Sequence, residues 1–406
     1  MPEASSELPS DGRLLFVQFG DYLEAAQRFA EGGEETYAAQ RYTVDFVADL
    51  AKRMERVTVL TFSTDYPLQR LPSGVYCEGV QLYRDGQRNQ QLQLIRAAAR
   101  EKPTHMIVVA PLIPLLYWAL LTGKRLLPLF ADSFHLGGLK ERLKGRALAW
   151  LLNRSEIEWV SNHNLAASLD LYRIGVDPQK IVPFDWPADV VPQDFSAKPA
   201  PTEPPFSLIY VGSMIETKGV GDAIRAISLL RAQQRDVELS LVGGESEQYR
   251  GLVDQLGLGS AVSFLGRQPH DRVLSLMNEH DASLVPSWHE YPEGLPMTIY
   301  EGLCSRSPVI VSDHPMFGIR MKDGKNCLVF EAASPDSLAN AVLRLMDEPD
   351  LYEHLSKSAE TATEDYLCPL KWDRLIATWL STNPEVRASL GNFSLTDGPY
   401  DDLGLA

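Results

Sequence analysis

The chain has 406 residues, with 38 Lys and Arg against 54 Asp and Glu and a formal net charge of −16. That length is too great for one ordinary hydrophobic core, so two domains are expected. The acidic balance argues against a nucleic-acid partner and gives no general attraction to anionic lipid.

Residues 1–10, MPEASSELPS, are polar and lack the apolar segment of a secretory signal. In the first half, apolar strands alternate with helical patterns. Strands are expected over 14–19, 57–62, 106–110, 126–130 and 157–161, with a long polar loop over 21–31 and a helix over 36–53. The run 106–121, MIVVAPLIPLLYWALL, is the longest apolar stretch. With two prolines inside sixteen residues, it reads as a buried strand, a turn and a helix rather than a membrane span. Strands separated by helices imply parallel pairing and a doubly wound sheet. Seven prolines fall in 183–205, a composition that reads as an interdomain linker. A second alternating half follows, with strands over 206–211, 237–242, 262–265, 282–286, 309–311 and 327–330. Helices are expected near 271–277 and 334–346, and over 351–380 with a break near Pro369. The tail after Asn383 is expected to be loosely held. These signals divide the chain into an α/β domain over 12–187, a linker over 188–205, a second α/β domain over 206–350, C-terminal helices over 351–382 and a tail over 383–406.

The most informative segment is EYPEGLPMTIYEGLCSRSPVIVSD, which holds Glu293 and Glu301. Gly294 and Pro296 break any helix at its start, and Pro suits a first helical turn. Glu293 therefore belongs to a loop and Glu301 to the helix behind it. Both can face a ligand at the helix N-terminus, where free N–H groups and the macrodipole favour an anion such as a diphosphate. The other reading of the pair is a solvated helix face. A second candidate is VGSMIETKGVGDAIRA. There a strand, a turn at Gly212 and then Lys218-Gly219 set a cation beside a helix N-terminus, at the carboxyl end of a strand. The alternative for Lys218 is an exposed surface lysine. The four cysteines, Cys77, Cys304, Cys327 and Cys368, include no close pair, so neither a metal knuckle nor a disulfide scaffold is expected, and a reducing cytoplasm is the simplest compartment.

The two glutamates, the Gly-Leu-Pro between them and the strand opened by Pro308 resemble the signature of family 4 retaining glycosyltransferases. The resemblance implies the GT-B fold, with two facing Rossmann-like domains and a last helix crossing back to the first. It implies transfer of a sugar from a nucleotide diphosphate sugar, UDP- or GDP-linked, to an acceptor hydroxyl in glycan, glycolipid or glycoconjugate synthesis. A sugar-nucleotide epimerase of the same fold and a non-catalytic nucleotide-sugar-binding scaffold are the alternatives. The implied sugar contacts are Glu293, Gly294 and Leu295, and Glu301 is implied to hold the ribose. The implied diphosphate contacts are Lys218, Gly212, Ser213 and the amides of Met297 and Thr298. Arg267 and Gln268 are implied beside the nucleobase. Gly32 and Gly33 match the family's first glycine loop, with 21–31 as part of an acceptor pocket or a plain turn as the alternative.

Three positions depart from the family pattern. Ser213 stands where Arg is usual, which removes a bidentate phosphate contact. Ala131 stands where a His is usual, which leaves Asp132 or His135 to touch the transferred sugar. Arg306 stands where Gly often ends the helix, which implies a different helix exit. The expected machinery is Glu293, Asp132 and Lys218, with no metal and no cofactor beyond the donor. The expected partners are that donor and a sugar or lipid-linked acceptor. The segment 140–154, KERLKGRALAWLLNR, carries five basic residues and one acid. It is either a peripheral contact with the inner face of a membrane or an ordinary helix with a solvated basic face.

Overall fold

The computed structural model describes residues 7–35, 39–82, 90–131, 134, 138–187, 190–244, 246–291, 293 and 296–400. The chain divides into two compact units. One consists of residues 1–187 together with 368–406, and the other of residues 188–367.

The first unit is built on eight strands: β1 (Arg13–Gln18), β2 (Arg56–Thr61), β3 (Tyr66–Arg70), β4 (Tyr76–Gly79), β5 (His105–Val108), β6 (Arg125–Phe130), β7 (Val160–His163) and β8 (Ile181–Phe184). Their order is β3-β4-β2-β1-β5-β6-β7-β8. Only the β3–β4 pair is antiparallel. One face of the sheet packs Leu14, Phe16, Val57, Val59 and Cys77 against Val44, Val47 and Leu50 of the helix Gln40–Arg53. The same core takes in Leu370, Trp372, Leu375, Ile376, Trp379 and Leu390 from the end of the chain.

Several expectations shift here. β3, β4 and β8 were not expected, and the strand expected over 157–161 is Val160–His163, because the Ile157 N–H closes a turn on the Arg154 carbonyl. The expected loop 21–31 is largely a helix, Tyr22–Ala30, whose N-terminus is capped by the Asp21 side chain accepting from the Glu24 N–H. The tail is anchored as far as Tyr400. Leu390, Leu395 and Tyr400 are buried, and the Leu395 N–H donates to the Ile181 carbonyl.

The second unit holds β9 (Phe206–Val211), β10 (Val237–Val242), β11 (Val262–Gly266), β12 (Ala282–Val285), β13 (Val309–Ser312) and β14 (Leu328–Phe330). Their order, β11-β10-β9-β12-β13-β14, is parallel throughout. Along β9, Phe206, Leu208 and Tyr210 enter one core with the helices Val220–Ala232 and Pro335–Asp347, while Ile209 turns to the other face with Val273 and Met277. Burial on both faces explains why such strands read as continuous apolar runs.

The proline-rich segment is not a free linker. Pro183 lies in β8, an edge strand where a missing N–H is tolerated. Residues from 190 on pack onto the second unit. There the Val190 and Pro192 carbonyls accept from the Tyr300 hydroxyl and from Arg306 Nε. The Lys198 ammonium is sunk among the Asn278 and His280 carbonyls and the Ser307 hydroxyl. Burial pulls its pKa down to about 8. Of the C-terminal helices, Pro349–Tyr366 stays with the second unit, and the return to the first begins at Cys368.

Candidate functional site

In the second sheet the strand order reverses beside β9, whose neighbours are β10 and β12. Ligands of open α/β sheets bind at such a switch point, outside the carboxyl ends of the strands. The loops that leave β9 and β12 carry the two sequence candidates. After β9 the chain passes Gly212 and Ser213, makes one 3-10 turn over Glu216–Lys218, and enters the helix Val220–Ala232 through Gly219. Gly219 has φ +72, and a Cβ there would lie 2.0 Å from the Pro286 carbonyl oxygen. Only glycine lets this loop lie so close to the chain leaving β12. Gly243 plays a matching part after β10, where a Cβ would fall 2.1 Å from the Gly212 oxygen.

The two loops are joined at three points. The Trp288 backbone N–H donates to the Thr217 carbonyl at 2.8 Å. The Trp288 indole N–H donates to Asp222 Oδ2 at 2.6 Å. Lys218 Nζ donates to Glu293 Oε1 at 2.5 Å. The Ser287 hydroxyl donates to the same glutamate oxygen, and the Lys218 ammonium sits 4.2 Å from the centroid of the Tyr291 ring. Glu293 is 5% exposed. A buried carboxylate so placed needs this cation and hydroxyl, and it fixes in return where the ammonium points. Burial raises the pKa of Asp222, while the Trp288 hydrogen bond opposes that rise.

Glu301 lies in the helix Met297–Cys304, also buried, and Pro296 stands immediately before the first helical residue. The Met297 and Thr298 amides fall in the first turn, where N–H groups lack intrahelical acceptors. Beside Glu301, a Cβ on Gly302 would meet Val309 Cγ2 at 2.9 Å, so the helix rides close on β13. Ser213 accepts on its carbonyl from the Tyr210 hydroxyl at 2.7 Å, and burial pushes that phenol's pKa up. Arg267 is exposed just past the end of β11, and Gln268 turns back to donate to the Leu265 carbonyl.

Lys218 and Glu293, read separately in the sequence, are thus brought into contact. Gly32, at φ +81, and Gly33 form the turn that ends the helix Tyr22–Ala30, with the Gly33 N–H donating to the Arg28 carbonyl. Asp132, His135, Gly294 and Leu295 lie outside the described residues. Arg306 corrects an expectation. The helix exit is left-handed, as a glycine would make it, because Arg306 itself takes φ +62. Its buried guanidinium donates to the Pro192 carbonyl and to Glu360 Oε2, each at 2.8 Å. Ser287, Tyr291 and Trp288 were missed. Their one signal is that they fill the short stretch between the end of β12 and Glu293. Among the described residues, no group of three or more His, Cys, Asp and Glu is arranged to hold a metal, and no helix is long and apolar enough to cross a membrane.

Residues 192–362 match the family model described as glycosyl transferases group 1. The glycogen synthase of Mycobacterium tuberculosis is 28% identical over 204 residues, which are 49% of this chain and 45% of that protein. A lipopolysaccharide core biosynthesis glycosyltransferase of Rhizobium meliloti is 31% identical over 153 residues, 37% of this chain and 42% of the relative. The chain therefore matches less than half the length of these relatives. Among solved structures, HepE of Anabaena in complex with UDP superimposes with a TM-score of 0.61 at 14% identity, covering 87% of this chain and 95% of HepE. Sucrose-phosphate synthase of Thermosynechococcus elongatus gives 0.60 at 17% identity, covering 90% of this chain and 96% of that one. The fold is GT-B.

Proposed function

We propose that this chain is a retaining glycosyltransferase. It would move a sugar from a UDP- or GDP-linked donor to a hydroxyl of a sugar or lipid-linked acceptor, in glycan, glycolipid or glycoconjugate synthesis. The observation that carries the reading is the Lys218–Glu293 pair, held at the switch point beside the first turn of the helix that carries Glu301. The group 1 match over this unit and the UDP bound by HepE support it.

In this reading the donor diphosphate lies against the Lys218 ammonium and the Met297 and Thr298 amides. Charge grows on the departing phosphate as the sugar becomes oxocarbenium-like, and a cation already fixed by Tyr291 and by a Glu293 that Ser287 holds needs little reorganisation to meet it. Glu301 accepts from the ribose hydroxyls, since a carboxylate can take both protons of a diol. Glu293 and Asp132 contact the transferred sugar. The donor is a substrate, and the reading invokes no resident cofactor.

A panel of nucleotide sugars followed by thermal melting tests the reading. A UDP- or GDP-sugar is expected to raise the melting temperature, and Glu301→Gln to weaken that donor about tenfold or more, the scale of a lost charge-assisted hydrogen bond. No shift with any donor would overturn it. Release of an epimerised nucleotide sugar without acceptor would point to the epimerase instead.

A further inference from the structure

The chain leaving β13 grips the loop after β12 at alternate residues. The Ser312 hydroxyl donates to the Ser287 carbonyl at 2.6 Å. Asp313 Oδ1 lies 2.8 Å from His289 Nε2, and His314 Nε2 lies 3.0 Å from the Tyr291 carbonyl oxygen. Consecutive residues 312, 313 and 314 thus meet 287, 289 and 291. His314 is 1% exposed, and the Phe317 ring packs 4.9 Å from its own. The Met316 N–H donates to His314 Nδ1 at 3.2 Å, so the ring proton sits on Nε2 and is donated to Tyr291.

Tyr291 is where this grip reaches the candidate site. Its carbonyl also accepts from the Glu293 N–H at 2.7 Å, and its ring faces the Lys218 ammonium at 4.2 Å. One residue therefore ties down the backbone of Glu293 and gives Lys218 a face to rest on. We propose that His314 is a positioning residue for the donor site. It fixes Tyr291, and through Tyr291 it fixes Glu293 and Lys218, while touching no ligand itself. Groups that meet a developing charge must be held to within about 0.5 Å, and a misplacement of about 1 Å can cost a hundredfold in rate. The inference rests on the donor reading for its ligand, but the hold on Glu293 does not.

Two substitutions separate the two ring nitrogens. His314→Gln keeps an N–H where Nε2 stands. His314→Asn keeps an acceptor where Nδ1 stands and loses the bond to Tyr291. Calorimetry with UDP-glucose and GDP-mannose, and amide hydrogen exchange at Glu293, are read on the full chain. His314→Asn should weaken the bound donor about tenfold and speed Glu293 exchange by a similar factor. His314→Gln should restore both, whatever either variant does to the unfolding midpoint. Wild-type affinity and exchange in His314→Asn, or equal losses in the two variants, would overturn the proposal. If His314→Asn does not fold, NMR of the wild-type ring nitrogens decides: a proton on Nε2 upholds the bond to Tyr291, and a proton on Nδ1 overturns it. If the wild type binds neither donor while His314→Asn still frees the Glu293 amide, the donor reading fails and the positioning stands.

Discussion

Arg306 shows how much a single side chain can hold in place. A left-handed backbone costs a non-glycine residue about 1 kcal/mol or more, yet Arg306 takes φ +62 and pins the proline-rich segment through the Pro192 carbonyl. Arg306→Ala keeps the strain and loses the bonds, so it should cost about 2–3 kcal/mol in denaturant unfolding. Arg306→Gly should cost about 1 kcal/mol less, because glycine relieves the backbone. Equal losses would mean that the backbone is not strained there. His105 sets an acid limit. Burial, with Arg125 nearby, pulls its pKa from 6.5 to about 4. The unfolded chain therefore binds the proton first. The contribution is whole above pH 6.5 and is lost as pH falls through about 4. Discounted for partial exposure, it is about 2 kcal/mol. Stability curves of the wild type and His105→Gln should diverge over that window, and parallel curves would refute the assignment.

At the level of elements, the helix Leu139–Leu152 buries Leu148, Ala149, Leu151 and Leu152 and leaves Leu139, Leu143 and Trp150 exposed at 76%, 57% and 61%. Those three positions share one face, and Lys140, Arg142 and Arg146 border it. Such a face suits either peripheral contact with an anionic bilayer or plain solvation. Vesicles containing phosphatidylglycerol at low salt separate the two: contact requires co-sedimentation that Leu143→Glu abolishes, and indifference to lipid charge means a solvated face. How legible each element was follows from its chemistry. Both-face burial made β1, β5, β9 and β13 plain in the sequence. β3, YPLQR, is exposed along most of its length and carries a proline, so no apolar pattern marked it. The helix Tyr22–Ala30 was hidden by its polar face, although Asp21 and Glu24 were a readable start signal. In the candidate site, Glu301, Glu293 and Lys218 were legible because loop and helix chemistry fixes their places. Their mutual contact was not, since it depends on β9 and β12 being neighbours, a fact of topology rather than of spacing.

At the scale of the molecule, the second unit is an insertion within the first. Truncation after Leu367 removes Trp372, Leu375, Ile376, Trp379 and Leu390 from the first unit's core. Such a chain should lose the first unit, seen as protease-sensitive fragments, while 188–367 retains cooperative melting. A stable first unit in the truncated chain would contradict this. The arrangement also orders events during synthesis. When Pro187 emerges, the sheet ending in β8 exists, but the residues that cover its core lie beyond the 180-residue second unit. At about 5–20 residues per second, that gap lasts roughly ten to forty seconds. The later unit thus finishes first. Throughout that interval the nascent first unit presents uncovered apolar surface, and a chaperone has time to bind it.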